Sequence, residues 1–213
     1  MTSTSGPVAA EQAYDFTKSA ILSGELAGGQ LVSEGAIGQQ LGISRTPVHE
    51  AFLRLGSEQL LELVSRKGAI VIPMTPSEAA DVLAMRKGIE TSAAGQVFAA
   101  GGPSERVASL LEENLEEQGA LVEAGDVAGF VTADDGFHAL MVEASGNPIA
   151  RNFYEQLRTR QQRLRNLLLR IDPANLAASH ADHRILADCL RSGDEAGFAT
   201  MLTSHFNRYQ GAL

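Results

Sequence analysis

Ser44-Arg45-Thr46-Pro47-Val48-His49-Glu50-Ala51-Phe52-Leu53-Arg54-Leu55 sets the architecture of the first third of the chain. Ser44 suits the N-cap, Pro47 falls in the first turn where no backbone donor is missed, and Val48, Ala51, Phe52 and Leu55 recur as one apolar stripe. The spacing predicts a short helix. Just upstream, Ser33, Ile37 and Leu41 follow a second helical pattern that Gly42 ends, so two helices meet across a tight turn. This is a helix-turn-helix, whose second helix offers hydroxyls, a guanidinium and free backbone donors at Ser44, Arg45 and Thr46 to phosphates and base edges.

Working outward, residues 1–10 read as a disordered tail, and Ala13, Phe16, Ala20 and Ile21 form a first helix closed by Gly24. Downstream of Leu55, Leu61 to Val64 and Ala69 to Ile72 read as strands of a hairpin with Arg66 and Lys67 at its tip. Three helices and a basic hairpin make a winged helix over 11–74, the wing placed to grip the DNA backbone or minor groove. Pro73 and Pro76 bracket a boundary, and Thr75-Pro76-Ser77-Glu78 is a capping box that opens a second domain over 75–213. That domain shows six helical patterns and no strand pattern, so the expected fold is mostly α: a winged helix-turn-helix followed by an antiparallel six-helix bundle.

The net charge of −9 argues against a strongly basic nucleic-acid surface, but its distribution matters. Residues 1–74 carry five bases, of which Arg45, Arg54, Arg66 and Lys67 fall on the proposed DNA-facing helix and hairpin, against seven acids. The remaining 12 bases and 19 acids belong to the second domain, which need not touch DNA. The lone Cys189 reads as a small core residue, and no apolar run approaches the ~20 residues of a membrane span. The N-terminus lacks the regions of a signal peptide, which leads to a cytoplasmic expectation.

Within the bundle, Asp134 and His138 lie four apart on one helix, and His183 and His205 sit on the core-facing stripes of two others. Four groups of ligand type thus converge inside one bundle, with Asp135 and His180 as competing choices. One carboxylate with three imidazoles suits Zn, Ni, Mn or Fe(II) and leaves positions open for water or a ligand carboxylate. Arg86 lies inside an apolar stripe, either paired with Glu90 one turn on or serving as a carboxylate clamp. The glutamates 112, 113, 116 and 117 read as a solvated face, as do most of Arg158, Arg160, Arg163 and Arg165.

Ser-Arg-Thr-Pro-Val-x-Glu-Ala at 44–51, with Ile21-Leu22-Ser23-Gly24 ahead and Arg66-Lys67-Gly68-Ala69 behind, resembles the GntR family of bacterial transcription regulators. Asp-x-x-Phe-His at 134–138 and Ala-Ser-Gly-Asn at 144–147 resemble the FCD effector domain of the FadR subfamily. The resemblance implies a homodimer that binds double-stranded operator DNA and senses a small carboxylate. It also implies DNA contacts around Ser44, Arg45 and Thr46, metal ligation by Asp134, His138, His183 and His205, and effector binding by Arg86. The DNA-facing set extends to His49, Arg54, Arg66 and Lys67, although family members usually carry arginine at the position of His49 and a basic or polar residue at that of Gly35. Gln59 stands where the family has a glycine, and a left-handed residue there costs on the order of 1 kcal/mol. Two other classes share these features: a metal-dependent hydrolase or lyase, for which no His-Glu-x-x-His motif appears, and a winged-helix protein-docking module.

Overall fold

The computed structural model describes residues 6–65, 67–171 and 174–208. The chain divides after Met74 into two compact units. In the first, helices α1 (Gly6–Ser23), α2 (Glu34–Leu41) and α3 (Arg45–Ser57) combine with strands β1 (Leu31–Val32), β2 (Leu61–Val64) and β3 (Gly68–Val71). Helix α1 already begins at Gly6, so residues 6–10 are helical where the sequence points to a tail; Ala9 is buried, which gives that first turn a packing reason to form. Residues 1–5 lie outside the described residues.

The α2–α3 turn is as expected. Gly42 caps α2 in the left-handed region with φ 68°, and α3 buries Val48, Ala51, Phe52 and Leu55 against Ile21 of α1 and Leu61 of β2. Ser44 stands at the N-cap with extended backbone, yet its side chain makes no capping hydrogen bond. Gln59 carries a positive φ of 59°, the one non-glycine to do so among the described residues.

The hairpin strands pair antiparallel with Glu62 opposite Ile70 and Val64 opposite Gly68, and β1 adds to the other edge of β3 to give the order β1-β3-β2. Two residues are too short to show alternation, which is why β1 has no sequence signature. Gly68, at φ 114°, is needed at the crossing: a Cβ there would overlap the Val32 carbonyl oxygen.

The second unit holds six helices among the described residues: α4 (Pro76–Ala99), α5 (Glu105–Ala124), α6 (Val127–Ala144), α7 (Pro148–Ile171), α8 (Ala174–Ser192) and α9 (Glu195–Asn207). The N-cap half of the capping box forms, with Glu78 N donating to Thr75 Oγ1 at 3.1 Å and Pro76 at the first helical position, while the Glu78 carboxylate pairs with Arg160. Helix α6 is apolar on most sides and sits centrally, touching α4, α5, α7 and α8. Helix α9 covers α4 and α8. The glutamates at 112, 113, 116 and 117 are exposed and Cys189 is buried, as expected.

Candidate functional site

In the first unit, the start of α3, the start of α2 and the wing enclose an open groove of about 500 Å³. Arg45 and His49 from α3, Glu34 and Gly35 from α2, and Ser65 and Lys67 from the wing line it. Ser44 and Thr46 are exposed on the adjoining first turn. Arg45 has no ion-pair partner among the described residues, whereas His49 Nδ1 lies 2.7 Å from Glu34 Oε1.

Arg54 is a correction to the expected DNA-facing set. It lies nine residues from Arg45, which at ~100° per residue puts it about 180° around the helix. Its guanidinium stacks 3.5 Å over the Tyr14 ring and donates to Glu11 at 2.8 Å, on the α1 side. Arg66 lies outside the described residues.

In the second unit, Asp134 and His138 of α6, His183 of α8 and His205 of α9 meet in the core. Each offers one ligand atom, and these atoms lie within 4.8 Å of one another. All four residues are buried. Asp135 instead points to Arg158 and Arg165, and His180 sits half-buried beside Gly119.

The protonation pattern follows from the surrounding bonds. Asn114 Nδ2 donates to the Ala133 carbonyl, which can only accept, so Asn114 Oδ1 must face Gln118 and accept from its Nε2 at 2.7 Å. Gln118 Oε1 is thereby turned to His183 Nδ1, 2.7 Å away. A chain of amides running back to one backbone carbonyl thus puts the His183 proton on Nδ1 and leaves the Nε2 lone pair facing the centre. His138 Nδ1 meets Glu90 Oε2 at 2.7 Å, and His205 Nδ1 meets Asp182 Oδ2 at 3.1 Å. Phe137 stacks on the His183 ring with centroids 4.5 Å apart.

Burial pushes all three imidazoles below their ordinary range, helped by the nearby Arg86 charge, so they are held neutral. Burial likewise pushes Glu90 up to about 7, against the pull of Arg86. Asp182 moves the other way: burial raises it, but hydrogen bonds from His205 and Arg208 outweigh that and hold it below the usual carboxylate range.

His138 Nε2 and His183 Nε2 face each other at 3.1 Å, and His183 Nε2 is 3.4 Å from Asp134 Oδ1. Where the imidazoles turn lone pairs inward, these and the carboxylate repel, and a cation among them relieves the repulsion. The donor set therefore fits a divalent ion with three nitrogens and one oxygen, each imidazole oriented by its own outer partner.

Beside this cluster lies a cavity of about 20 Å³, bounded by Arg86, Asp134, Gln161, Arg165 and His205 with an aliphatic wall that includes Leu83. Arg86 forms the expected pair with Glu90. Its Nε donates to Glu90 Oε1 at 2.6 Å, while its buried Nη2 has no hydrogen-bond partner among the described residues. Both amide atoms of Gln161 and Nη2 of Arg165 are also buried without hydrogen-bond partners among the described residues. Arg165 is an exception to the solvated face expected of most of the α7 arginines: it is buried and ion-paired to Asp134 and Asp135. Arg158 and Arg160, more exposed, pair with Asp135 and Glu78. Glu90 was visible in sequence as an i+4 partner of Arg86, but Gln118, Gln161 and Asp182 carry no sequence signal, because a buried amide or carboxylate is recognised only by what it faces.

The chain matches the FCD domain over residues 81–208 and the bacterial regulatory proteins of the gntR family over residues 9–71. It is 33% identical over 141 residues to an HTH-type transcriptional regulator of Agrobacterium vitis encoded in the TAR-I ttuE-ttuC' intergenic region, covering 66% of this chain and 81% of that protein. Identity to the probable D-xylose utilization operon transcriptional repressor of Paenarthrobacter nicotinovorans is 29%, over 94% of this chain and 86% of the relative. Among solved structures, E. coli McbR/YncC superposes with a TM-score of 0.75 at 24% identity, over 98% of this chain and 95% of that one, a likeness of fold. No helix among the described residues is long and apolar enough to cross a membrane. The matched families and relatives are regulators rather than enzymes, which sets aside the hydrolase reading. This chain belongs to the GntR family of bacterial regulatory proteins, in the group that carries an FCD domain, and is a transcriptional regulator.

Proposed function

We propose that the protein is a cytoplasmic, homodimeric regulator whose winged helices bind operator DNA, and whose FCD domain holds a divalent metal and a small organic acid that changes operator affinity. The observation that carries this reading is the joint occurrence of the buried Asp134, His138, His183 and His205 cluster and, next to it, an arginine nitrogen that has no hydrogen-bond partner among the described residues. A metal bound there would supply a positive centre with open positions for an acid oxygen. Arg86 Nη2, Arg165 Nη2 and the Gln161 amide are placed to donate to a further carboxylate oxygen. Zn, Ni, Mn and Fe(II) all suit the donor set.

The cavity supports a coupling between acid and DNA. About 20 Å³ accommodates roughly one water, so an acid of several carbons requires the α4 and α7 walls to separate. Helix α4 carries Arg86 and is joined covalently to the winged-helix unit through residues 72–75. A ligand that binds only the opened arrangement has the differential affinity that allostery requires. The dimer reading is supported by Met85 on α4 and Ile149 and Phe153 on α7, large apolar side chains more than half exposed, on two helices that pack together.

The test is operator binding titrated with hydroxy and dicarboxylic acids at fixed salt, on metal-loaded wild type and Arg86→Ala. The expected result is a 5- to 150-fold change in affinity for wild type, the range of a ~1 to 3 kcal/mol coupling. Arg86→Ala should keep its metal and its DNA binding and lose the response. An undiminished response in the variant rejects the clamp.

A further inference from the structure

The DNA-facing groove contains an element that phosphate binding does not account for. Glu34, the first residue of α2, lines the same groove as Arg45, His49 and Lys67, and its Oε1 is engaged by His49 Nδ1 at 2.7 Å. A carboxylate only accepts hydrogen bonds. Placed against a polyanion it repels, and the phosphate backbone has no donor to offer it. The groups in a major groove that can satisfy it are the exocyclic amines of cytosine and adenine.

Next to it, Gly35 shapes the position of Arg45. A Cβ on Gly35 would sit 3.2 Å from Arg45 Nη2 and 3.5 Å from Nε, so the guanidinium lies flat over the bare Cα of α2. The guanidinium, unpaired among the described residues and carried by the first residue of α3, thereby lies against the α2 residue that follows Glu34, so donor fork and carboxylate line one groove side by side. His49 fixes the carboxylate through one oxygen of a residue that lines the groove, and the second oxygen has no hydrogen-bond partner among the described residues.

Building on the operator-binding reading of this groove, we infer that Glu34, held by His49, is a specificity-determining residue that selects cytosine at a base pair next to the one met by Arg45. Arg45 reads guanine through its two-donor fork, and Glu34 accepts from cytosine N4. The carboxylate also acts against other sequences, since a base without an amine leaves it unpaired beside the phosphates. Gly35 and His49 then serve one purpose. One clears the space for Arg45 and the other orients Glu34.

The experiment is selection of bound duplexes from a randomised pool by the full-length protein. Affinities are then measured on single base-pair variants of the selected site at fixed salt. Wild type is expected to prefer cytosine at one position of each half-site by about 5- to 150-fold. Glu34→Ala should lose that preference alone and bind the disfavoured sequences more tightly, while Arg45→Ala loses the preference at the neighbouring pair. Glu34→Gln, which keeps size and the acceptor for His49, turns a donating amide nitrogen to the groove in place of an acceptor and should lose the preference for cytosine, whose N4 only donates. Unchanged selection by Glu34→Ala and Glu34→Gln, with affinity shifted equally for all sequences, would reduce Glu34 to a helix-start charge and overturn the inference. Enrichment of no sequence by wild type would instead bring down the operator-binding reading itself.

Discussion

Replacing Gln118 with leucine isolates the amide chain that orients His183. The side chain is fully buried, its Oε1 is the acceptor for His183 Nδ1 at 2.7 Å, and Leu has similar volume, so the substitution removes the acceptor without opening a large space. Two effects follow. The metal-free protein loses the pairing of a buried imidazole N–H and of Asn114 Oδ1, which costs about 1 to 3 kcal/mol. Separately, His183 becomes free to shift its proton to Nε2, the atom that faces Asp134 and His138, where it opposes ligation. Outer partners of this kind carry roughly 10- to 100-fold in metal affinity, or about 1.4 to 2.7 kcal/mol. With metal in excess for both proteins, the metal-dependent gain in stability shrinks by the same amount, roughly 3 to 10 °C in midpoint for a unit of this size. The assay is thermal unfolding with and without added Zn or Ni, together with competition against a chelator. Glu117→Gln, on the exposed face of α5, is the control. A variant that loses stability without metal yet keeps wild-type metal affinity would refute the orientation argument.

Further outcomes concern the winged-helix unit. Glu58 accepts from Lys18 and Tyr14 and, despite burial that raises it, is held below the ordinary carboxylate range. Its contribution is therefore present above the unfolded pKa near 4.5 and lost as pH falls through the lower folded value. Glu58→Gln should cost about 1 kcal/mol or less at pH 7, with the difference from wild type shrinking in denaturant titrations as the pH falls below 4.5. Phe52→Ala, at a fully buried position, should cost about 3 to 5 kcal/mol, enough to melt the first unit while the helical unit keeps its own transition in calorimetry. Gln59→Gly relieves a left-handed residue and should stabilise by up to ~1 kcal/mol, measured as a raised denaturant midpoint at unchanged slope.

What could be foreseen from sequence follows from the range of each signal. Gly42, Pro47 and the stripe Val48, Ala51, Phe52 and Leu55 act over one or two turns, so the helix-turn-helix was readable residue by residue. Arg54 misled because a count of basic residues ignores helix phase, and half a turn in phase moved it from the DNA side to the Tyr14 ring. The four ligand-type residues were visible as core-facing positions on separate helices. Arg165 was not, because its neighbours Arg158, Arg160 and Arg163 look identical in sequence and only packing against Asp134 and Asp135 separates it from them. Gln118, Gln161 and Asp182 depend wholly on tertiary contacts.

Strand β1 has a consequence for association. A hairpin on its own is marginally stable in water, but here β3 is bonded on both edges, to β2 and to the two residues Leu31 and Val32 that precede α2. Lys67 therefore extends from a strand already fixed in place. Binding of a partner forfeits little additional backbone entropy from the wing, so more of each contact it makes survives as net affinity. Substitutions between α1 and α2, outside the groove, would weaken binding by loosening that edge, and their signature would be an entropic loss at a preserved contact surface.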